Sequence, residues 1–217
     1  MMLTANDMVI QVINIKGEKE SYEKQHNAAV NFIEKYFVSK EWHSKIELKK
    51  NENGRPFIND GIAYDITISH TFNLILVAIF PRTLVLGIDI QRLTKPLHLE
   101  SFTKYDLVSD YWCSDGAVQM SLKESLGKYL GMGLLCNPRV YCIESVKRYV
   151  QTGLFTCQFK QFPTVSGMGM VVDGYIVTAV FTSEHLNLME QQFIRMKELI
   201  YNYGNSHDRH AKENNFG

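Results

Sequence analysis

Three apolar runs of strand length follow one another between residues 64 and 91, and only short breaks separate them. The runs read "YDITISH" (64–70), "LILVAIF" (74–80) and "LVLGIDIQ" (84–91), with "TFN" and "PRT" between them. Apolar and β-branched runs bounded by such short breaks are typical of neighbouring strands. The sequence therefore predicts an antiparallel meander in this part of the chain.

The chain before this meander begins with a strand and a helix. "MVIQVINI" (8–15) alternates like a strand, and residues 20–37 carry apolar side chains at helical spacing (Ala29, Phe32, Ile33 and Tyr36). The polar "KKNENGRP" (49–56), with its Gly and Pro, predicts a turn or loop.

The chain after the meander repeats this arrangement of a helix with strands. We predict a helix from about Asp115 to Leu130, ended by Gly131, and a second helix around 184–203. Strands are expected near 139–149, 153–162 and 174–181.

Two strands resemble each other across the chain and favour two similar halves. "NLILVAIF" (73–80) and "GYIVTAVF" (174–181) share a hydrophobic pattern that ends in Phe. We therefore expect an α+β fold of two similar halves packed together, a pseudo-dimer of antiparallel strands and helices, with boundaries at 1–86 and 87–203. The polar residues 204–217 are expected to form a disordered tail.

The charge composition limits the classes of partner. Lys plus Arg and Asp plus Glu number 23 each, so no overall basic field suggests nucleic acid or an anionic membrane. The four cysteines form no C-x-x-C pair, no signal peptide is recognisable, and the apolar runs are shorter than the roughly 20 residues of a membrane helix. We expect reduced thiols and a cytoplasmic protein that meets any anionic substrate locally.

Asp89 lies in the middle of an apolar strand, where a carboxylate is costly unless it is neutralised. Strand geometry puts Asp89 and Gln91 on one face and Ile88 and Ile90 on the other. Gly87 would let a ligand or a neighbouring backbone approach closely. The strand alone leaves two interpretations open, a ligand-binding carboxylate or an Asp paired with a nearby Lys.

A second group of charged residues lies on the helix that contains "SLKESLGKYLGMGL" (121–134). Glu124 and Lys128 are four residues apart and share a face, with Lys123 beside them. Such a pair is either a surface ion pair or an acidic and a basic group directed at one ligand.

Two further motifs precede Asp89 in the chain. In "ISHTFN" (68–73), Ser69 and His70 are adjacent on a strand and point apart, so they are not a Ser-His nucleophile pair. In "NGRPF" (53–57), Arg55 is either a phosphate clamp or an ordinary loop residue.

The order of these motifs resembles the 4'-phosphopantetheinyl transferases. The matching segments are "GRP" (54–56), "ISH" (68–70), "GID" (87–89), "KESLGK" (123–128) and "GMGL" (131–134). The length is similar to that of the surfactin-synthetase-type branch, in which two halves are fused in one chain. The small holo-acyl-carrier-protein synthases are about half this size and trimeric, so the resemblance implies a monomer.

The resemblance implies transfer of the phosphopantetheine arm of coenzyme A to a serine of an apo acyl or peptidyl carrier protein. Adenosine 3',5'-bisphosphate would be released, and Mg²⁺ would be the cofactor. By motif match, Asp89 and Glu124 are the metal carboxylates, and Lys128 contacts the pyrophosphate. His70 matches the histidine at the 3'-phosphate, and Ser69 and Arg55 match positions that also hold the nucleotide.

The general base stays open between two carboxylates. Glu124 can act beside the metal, or the base is Asp106, because "FTKYD" (102–106) looks like an acidic motif of the family with Asp in place of Glu. The shorter Asp side chain reduces its reach.

The chain departs from the family pattern at three places. Gln91 stands where many members have a third acidic metal ligand, so it would ligate through its carbonyl or through water. Met120 replaces a Trp. The basic helix that helps to bind the nucleotide is not recognisable, and Lys16, Lys19 and Lys24 are its possible substitutes. Two hypotheses follow, an active transferase and a degenerate relative that binds coenzyme A or a carrier protein without efficient transfer.

Overall fold

The computed structural model describes residues 8–15, 22–40, 46–58, 63–93, 104–108 and 116–213. It is an α+β structure with antiparallel sheets, which confirms the predicted class. The α-helices of the described residues are α1 (Tyr22–Ser39), α2 (Gly116–Leu130) and α3 (Leu186–Glu213). Short 3-10 helices span Pro138–Tyr141, where the sequence predicts the start of a strand, and Ser183–His185. The strands are β1 (Val9–Asn14), β2 (Leu48–Lys50), β3 (Pro56–Ile58), β4 (Tyr64–Thr71), β5 (Leu74–Pro81), β6 (Leu86–Arg92), β7 (Ile143–Tyr149), β8 (Leu154–Phe159), β9 (Phe162–Val172) and β10 (Tyr175–Thr182).

The first sheet has the strand order β1-β5-β4, and the predicted loop at 49–56 is the turn of a small β2–β3 hairpin beside it. Ala29, Ile33 and Phe37 of α1 pack on one face of β5. The other face of β5 belongs to the central core. Both faces of β5 are therefore buried, which explains why "LILVAIF" is apolar without alternation.

The third strand of the predicted meander does not belong to this sheet. β4 and β5 form the predicted hairpin, but β6 pairs with β10 in a second sheet of order β6-β10-β9-β8-β7. The meander prediction was wrong at this point, because a short break permits a hairpin without requiring one. Leu86, Ile88 and Ile90 of β6 face the core between the two sheets.

Strand β9 was missed by the sequence analysis. It spans Phe162–Val172 and contains a Pro and two glycines, which have low strand propensity. A Cβ at Gly167 would overlap the Cys157 thiol, and one at Gly169 would overlap the Phe155 ring. The glycines therefore make room for large side chains of β8, a reason that only the packed sheet reveals.

The two sheets share a pattern of strand order. In the first sheet β5 lies between β1 and β4, and in the second sheet β10 lies between β6 and β9. The strands β5 and β10, whose sequences are similar, occupy corresponding positions. A helix packs on each sheet, α1 on β5 and α2 on β6 and β10.

Helix α3 packs against both sheets and is longer than predicted. Its buried residues Met189, Phe193, Met196 and Ile200 recur every three or four positions and join the central core. The helical backbone continues from residue 204 to Glu213, where the sequence predicts a disordered tail. Extension of an established helix adds one hydrogen bond per residue and needs no new nucleus. Residues 214–217 lie outside the described residues.

None of the helices within the described ranges has both the length and the apolar character needed to cross a membrane.

Candidate functional site

Asp89 lies on β6, is 1% exposed, and has both carboxylate oxygens hydrogen-bonded. Its Oδ1 accepts from the Ser69 hydroxyl at 2.7 Å and pairs with the Lys128 ammonium at 2.9 Å. Its Oδ2 accepts from the Ser121 hydroxyl at 2.8 Å. The buried charge is thus neutralised by a lysine, as the interpretation of an Asp paired with a nearby Lys required, and that lysine is Lys128 of the motif.

Gly87 explains how α2 comes so near to Asp89. A Cβ at this position would overlap the backbone oxygen of Ser125 and the backbone nitrogen of Tyr129. The close neighbour allowed by this glycine is therefore the backbone of α2. The approach puts Ser121, Glu124 and Lys128 on the helix face beside the carboxylate.

A buried layer of hydroxyl groups supports Asp89 from behind. Thr178 of β10 lies opposite Asp89 in the sheet register. Its hydroxyl group is hydrogen-bonded to those of Ser121 (2.8 Å) and Ser125 (2.7 Å). The sequence analysis missed Ser121 and Thr178, although two serines four apart in an otherwise buried helix are a usable signal.

Glu124 shares this environment and is electrostatically perturbed. Burial, and then the neighbouring Asp89 charge, raise the pKa of Glu124 to about 7, although Lys128 opposes this shift. The Asp89 charge therefore disfavours ionisation of Glu124 beside it. A cation bound between them would relieve this repulsion.

An open cavity of about 490 Å³ lies between β4, β6 and α2. Six of the eight predicted site residues line it, namely Ser69, His70, Asp89, Gln91, Glu124 and Lys128. The structure therefore brings together residues that are up to 59 positions apart in the chain. The remaining two, Arg55 and Asp106, are not among its lining residues.

His70 and Ser69 point apart, as the strand periodicity predicts. Ser69 is buried and donates to Asp89, whereas His70 is exposed at the cavity. Burial and the nearby Lys128 lower the pKa of His70, and Asp89 only partly opposes them. The imidazolium expected at a phosphate therefore depends on the anion itself, since the protein alone favours the neutral ring.

Arg55 lines a second cavity of about 190 Å³ that adjoins the first and shares Ile68 and Lys128 with it. Its guanidinium pairs with Asp65 at 2.6 Å and lies close to Gly131. Arg55 is thus held beside the main cavity and is already paired with one carboxylate.

Asp106 forms a buried ion pair with Lys123 at 2.6 Å. Lys123 also donates to the Tyr141 carbonyl at 3.0 Å, and the Ile143 amide donates to Asp106 Oδ1 at 2.9 Å. The second carboxylate oxygen of Asp106 is buried and has no hydrogen-bond partner within the described ranges. Burial raises the pKa of Asp106 despite Lys123. Its carboxylate is therefore committed to Lys123, and of the two candidate bases only Glu124 lines the cavity.

A third cavity, of about 170 Å³, contains polar residues that the sequence analysis did not single out. The Lys50 ammonium donates to the Tyr22 hydroxyl at 2.6 Å, and His26 stacks on the Tyr22 ring at 6.0 Å. This cavity shares His70 with the main one. Of the N-terminal lysines proposed from the sequence, Lys24 is exposed on α1. The other two, at positions 16 and 19, lie outside the described residues.

The donor set of the main cavity fits a hard divalent cation such as Mg²⁺, which is held by one or two carboxylates with water and phosphate oxygens. Asp89 and Glu124 supply two carboxylates, and Gln91 supplies an amide oxygen. Asp89 Oδ2 faces α2, where it accepts from the Ser121 hydroxyl. In the described part of the chain, no three His, Cys, Asp or Glu side chains cluster as a metal site, so two carboxylates are what this cavity offers.

Comparison with known proteins adds no assignment, since the chain matches no model of a known family and no protein of curated function.

Proposed function

We propose that this chain transfers the 4'-phosphopantetheine arm of coenzyme A to a serine of an apo acyl or peptidyl carrier protein in a Mg²⁺-dependent reaction. The observation that carries the proposal is the convergence of Asp89, Glu124, Lys128 and His70 on one cavity. Their motifs match the 4'-phosphopantetheinyl transferases in order. Independent surface roles for these residues would not require the convergence.

The reaction forms one phosphoester bond and breaks one phosphoanhydride bond. The serine hydroxyl oxygen attacks the β-phosphorus of coenzyme A, and the bond from this phosphorus to the bridging oxygen breaks. Adenosine 3',5'-bisphosphate leaves with the bridging oxygen and its electron pair. The serine proton passes to Glu124, the candidate base that lines the cavity.

The other residues of the cavity bind and neutralise charge. Lys128 shares its ammonium between Asp89 and the pyrophosphate, and His70 holds the nucleotide phosphate side, while the Ser69 hydroxyl orients Asp89. Asp89, Glu124 and Gln91 would hold Mg²⁺, which supplies Lewis-acid stabilisation of phosphate charge. Arg55 reaches the nucleotide from the adjoining cavity.

We propose that the chain has the architecture of the two-half, monomeric branch of that superfamily. The corresponding strand orders β1-β5-β4 and β6-β10-β9 support it, as does the similarity of β5 and β10. We further propose a cytoplasmic location, since carrier proteins and coenzyme A meet there, and no direct role for nucleic acid or membranes.

A second candidate function is binding of coenzyme A or a carrier protein without efficient transfer. Gln91 favours it, because a neutral amide stands where a third carboxylate would strengthen metal binding. The Lys128–Asp89 ion pair favours it too, since that lysine already occupies one oxygen of a candidate ligand.

The decisive experiment is incubation with coenzyme A, Mg²⁺ and a panel of apo carrier proteins, read by intact mass. We expect a gain equal to one phosphopantetheine group, its loss on addition of a chelator, and its loss in Asp89→Asn and Glu124→Gln. Glu198→Gln, an exposed change on α3, is the matched control. No mass gain on any carrier, with coenzyme A still bound, would exclude the transferase and favour the second candidate.

A further inference from the structure

Phe72 adopts a backbone conformation that disfavours its own side chain. It lies in the two-residue turn between β4 and β5 with φ of +47°, in the left-handed region that glycine tolerates best. The Gln25 amide of α1 donates to the Phe72 carbonyl at 2.7 Å and fixes the turn. Glycine would relieve the backbone strain here, so the phenylalanine is not explained by the stability of the turn.

The Phe72 side chain is exposed and lies at the edge of the main cavity. It is 47% exposed and lines the cavity together with Arg92. The Arg92 guanidinium, at the end of β6, lies 4.6 Å from the ring centroid. Stacking on an aromatic face leaves the guanidinium N–H edge available to an anion. Among the described residues no acceptor binds that edge. We call this pair the Phe72–Arg92 rim.

The charged groups near the rim determine which charge a partner must carry in order to bind there. The chain has no net charge, so attraction to an acidic protein must arise from local groups. Arg92 is exposed, and Lys128 and His70 line the same cavity behind it. The carboxylates nearby, Asp89 and Glu124, lie inside the cavity and are mostly buried. The rim therefore presents an apolar ring and a positive charge outward.

We propose that the Phe72–Arg92 rim docks an acidic surface of the carrier protein and so guides its serine into the cavity. This inference rests on the proposed function, because the cavity must contain the acceptor site for phosphopantetheine. Aromatic and arginine side chains at the centre of a contact typically dominate its affinity. A rim charge also speeds the encounter with an oppositely charged partner and makes it salt-dependent.

The test measures binding directly, so that it does not depend on catalysis. A fluorescently labelled apo acyl carrier protein of acidic character is titrated with the full chain and with Phe72→Gly and Arg92→Gln. We expect each variant to bind about tenfold more weakly, with affinity for coenzyme A unchanged. Phe72→Gly should melt at the same or a higher temperature, because glycine removes the strain at this turn. If Phe72 had only a structural role, its replacement would not weaken carrier binding while leaving the melting temperature unchanged or higher.

Matched controls lie far from the cavity, in turns of the second sheet. Val150→Ala removes an exposed apolar side chain, and Lys160→Gln removes an exposed charge. Both should leave carrier binding unchanged.

Several outcomes would overturn the docking role. Carrier affinity within twofold of the original chain, an equal loss of coenzyme A affinity, or no carrier binding by the original chain would each do so. Failure of the proposed function is separate, since it appears as absent transfer in a chain that still binds the carrier through the rim.

Discussion

At the scale of single residues, the cavity contains two carboxyl groups, and its capacity to bind a cation depends on them. Asp89 is satisfied by two hydroxyl groups and one ammonium, and Glu124 is left with a raised pKa beside it. Gln91 adds an oxygen donor without adding charge. Two carboxylates and one amide would bind a divalent cation weakly by themselves and more strongly together with anionic phosphates.

Substitution of Gln91 tests this account of the metal site. Gln91→Glu adds a third carboxylate, so we expect half-maximal transfer at a several-fold lower Mg²⁺ concentration. Rates of mass gain across a Mg²⁺ titration measure the effect. Gln91→Ala, which adds no charge, should show no such gain. A Glu variant that needs more Mg²⁺ than the original chain would show that position 91 lies away from the ion.

The raised pKa of Glu124 predicts a pH dependence of stability in the metal-free protein. The folded-state pKa of about 7 lies above the ordinary glutamate value of 4.5, so protonation favours the folded state. The stability associated with this group is complete below pH 4.5 and is lost as the pH rises through 7. The Glu124→Gln variant has no ionisable group at this position, so its stability does not fall in this way as the pH rises.

Between pH 5 and pH 8, Glu124→Gln should therefore gain about 2 kcal/mol in free energy of unfolding relative to the original chain. Urea titrations with a chelator present measure the difference. The exposed Glu198→Gln is the control and should show no comparable trend. A pH-independent difference would mean that Glu124 is charged at pH 5 in the folded protein.

At the scale of elements, the site depends on the contact between β6 and α2. Both elements are predicted from local periodicity, and Gly87 was expected to permit a close approach. What approaches is the α2 backbone, and this contact sets the distance between Asp89 and the charged face of the helix. The same helix directs Lys123 away from the cavity to Asp106. Adjacent residues of one motif thus serve different sites.

Gly87→Ala tests the importance of this contact. The added methyl group would overlap α2 backbone atoms that cannot rotate away, so we expect a loss of about 1–3 kcal/mol in stability. Transfer should fall further than stability explains, because α2 carries Glu124 and Lys128. Folded fraction and transfer rate are compared at one temperature.

Gly153→Ala provides the control for this substitution. Gly153 has φ of +72° in the β7–β8 turn, so alanine there should cost about 1 kcal/mol by backbone strain alone. Transfer per folded molecule should not change. An equal loss of transfer in Gly87→Ala and Gly153→Ala would show that the β6–α2 contact has no special role in transfer.

At the scale of the whole molecule, the cavity lies where the two sheets meet. β4 of the first sheet, β6 of the second and helix α2 each contribute lining residues. The central core contains residues of both sheets and of α3, so the halves share one hydrophobic interior. We expect them to unfold together.

Two neighbouring substitutions on helix α3 test whether the molecule unfolds as one unit. Phe193 is fully buried in the shared core, whereas its neighbour Ile194 is 44% exposed. Phe193→Ala should cost about 3–5 kcal/mol, and Ile194→Ala less than about 1 kcal/mol. Denaturant unfolding followed by fluorescence and by circular dichroism should give one coincident transition that shifts as a whole. Two transitions, of which only one shifts, would show that the halves unfold separately.

The sequence by itself determined most of the elements and the composition of the site. Strand and helix periods depend on backbone geometry over a few residues, so β1, β4, β5, α1 and α2 were predictable. The same local rule put Asp89 and Gln91 on one face and separated Ser69 from His70. Each charged residue in an apolar segment was ambiguous by itself, and the order of five short motifs along the chain predicted the site.

Only the tertiary structure decided which elements are neighbours. The pairing of β6 with β10, the existence of β9 and the Asp106–Lys123 ion pair depend on segments far apart in the chain. The hydroxyl layer of Ser121 and Thr178 behind Asp89 has the same origin. Packing and hydrogen bonding select among partners of similar local pattern, and a one-dimensional pattern does not encode that choice.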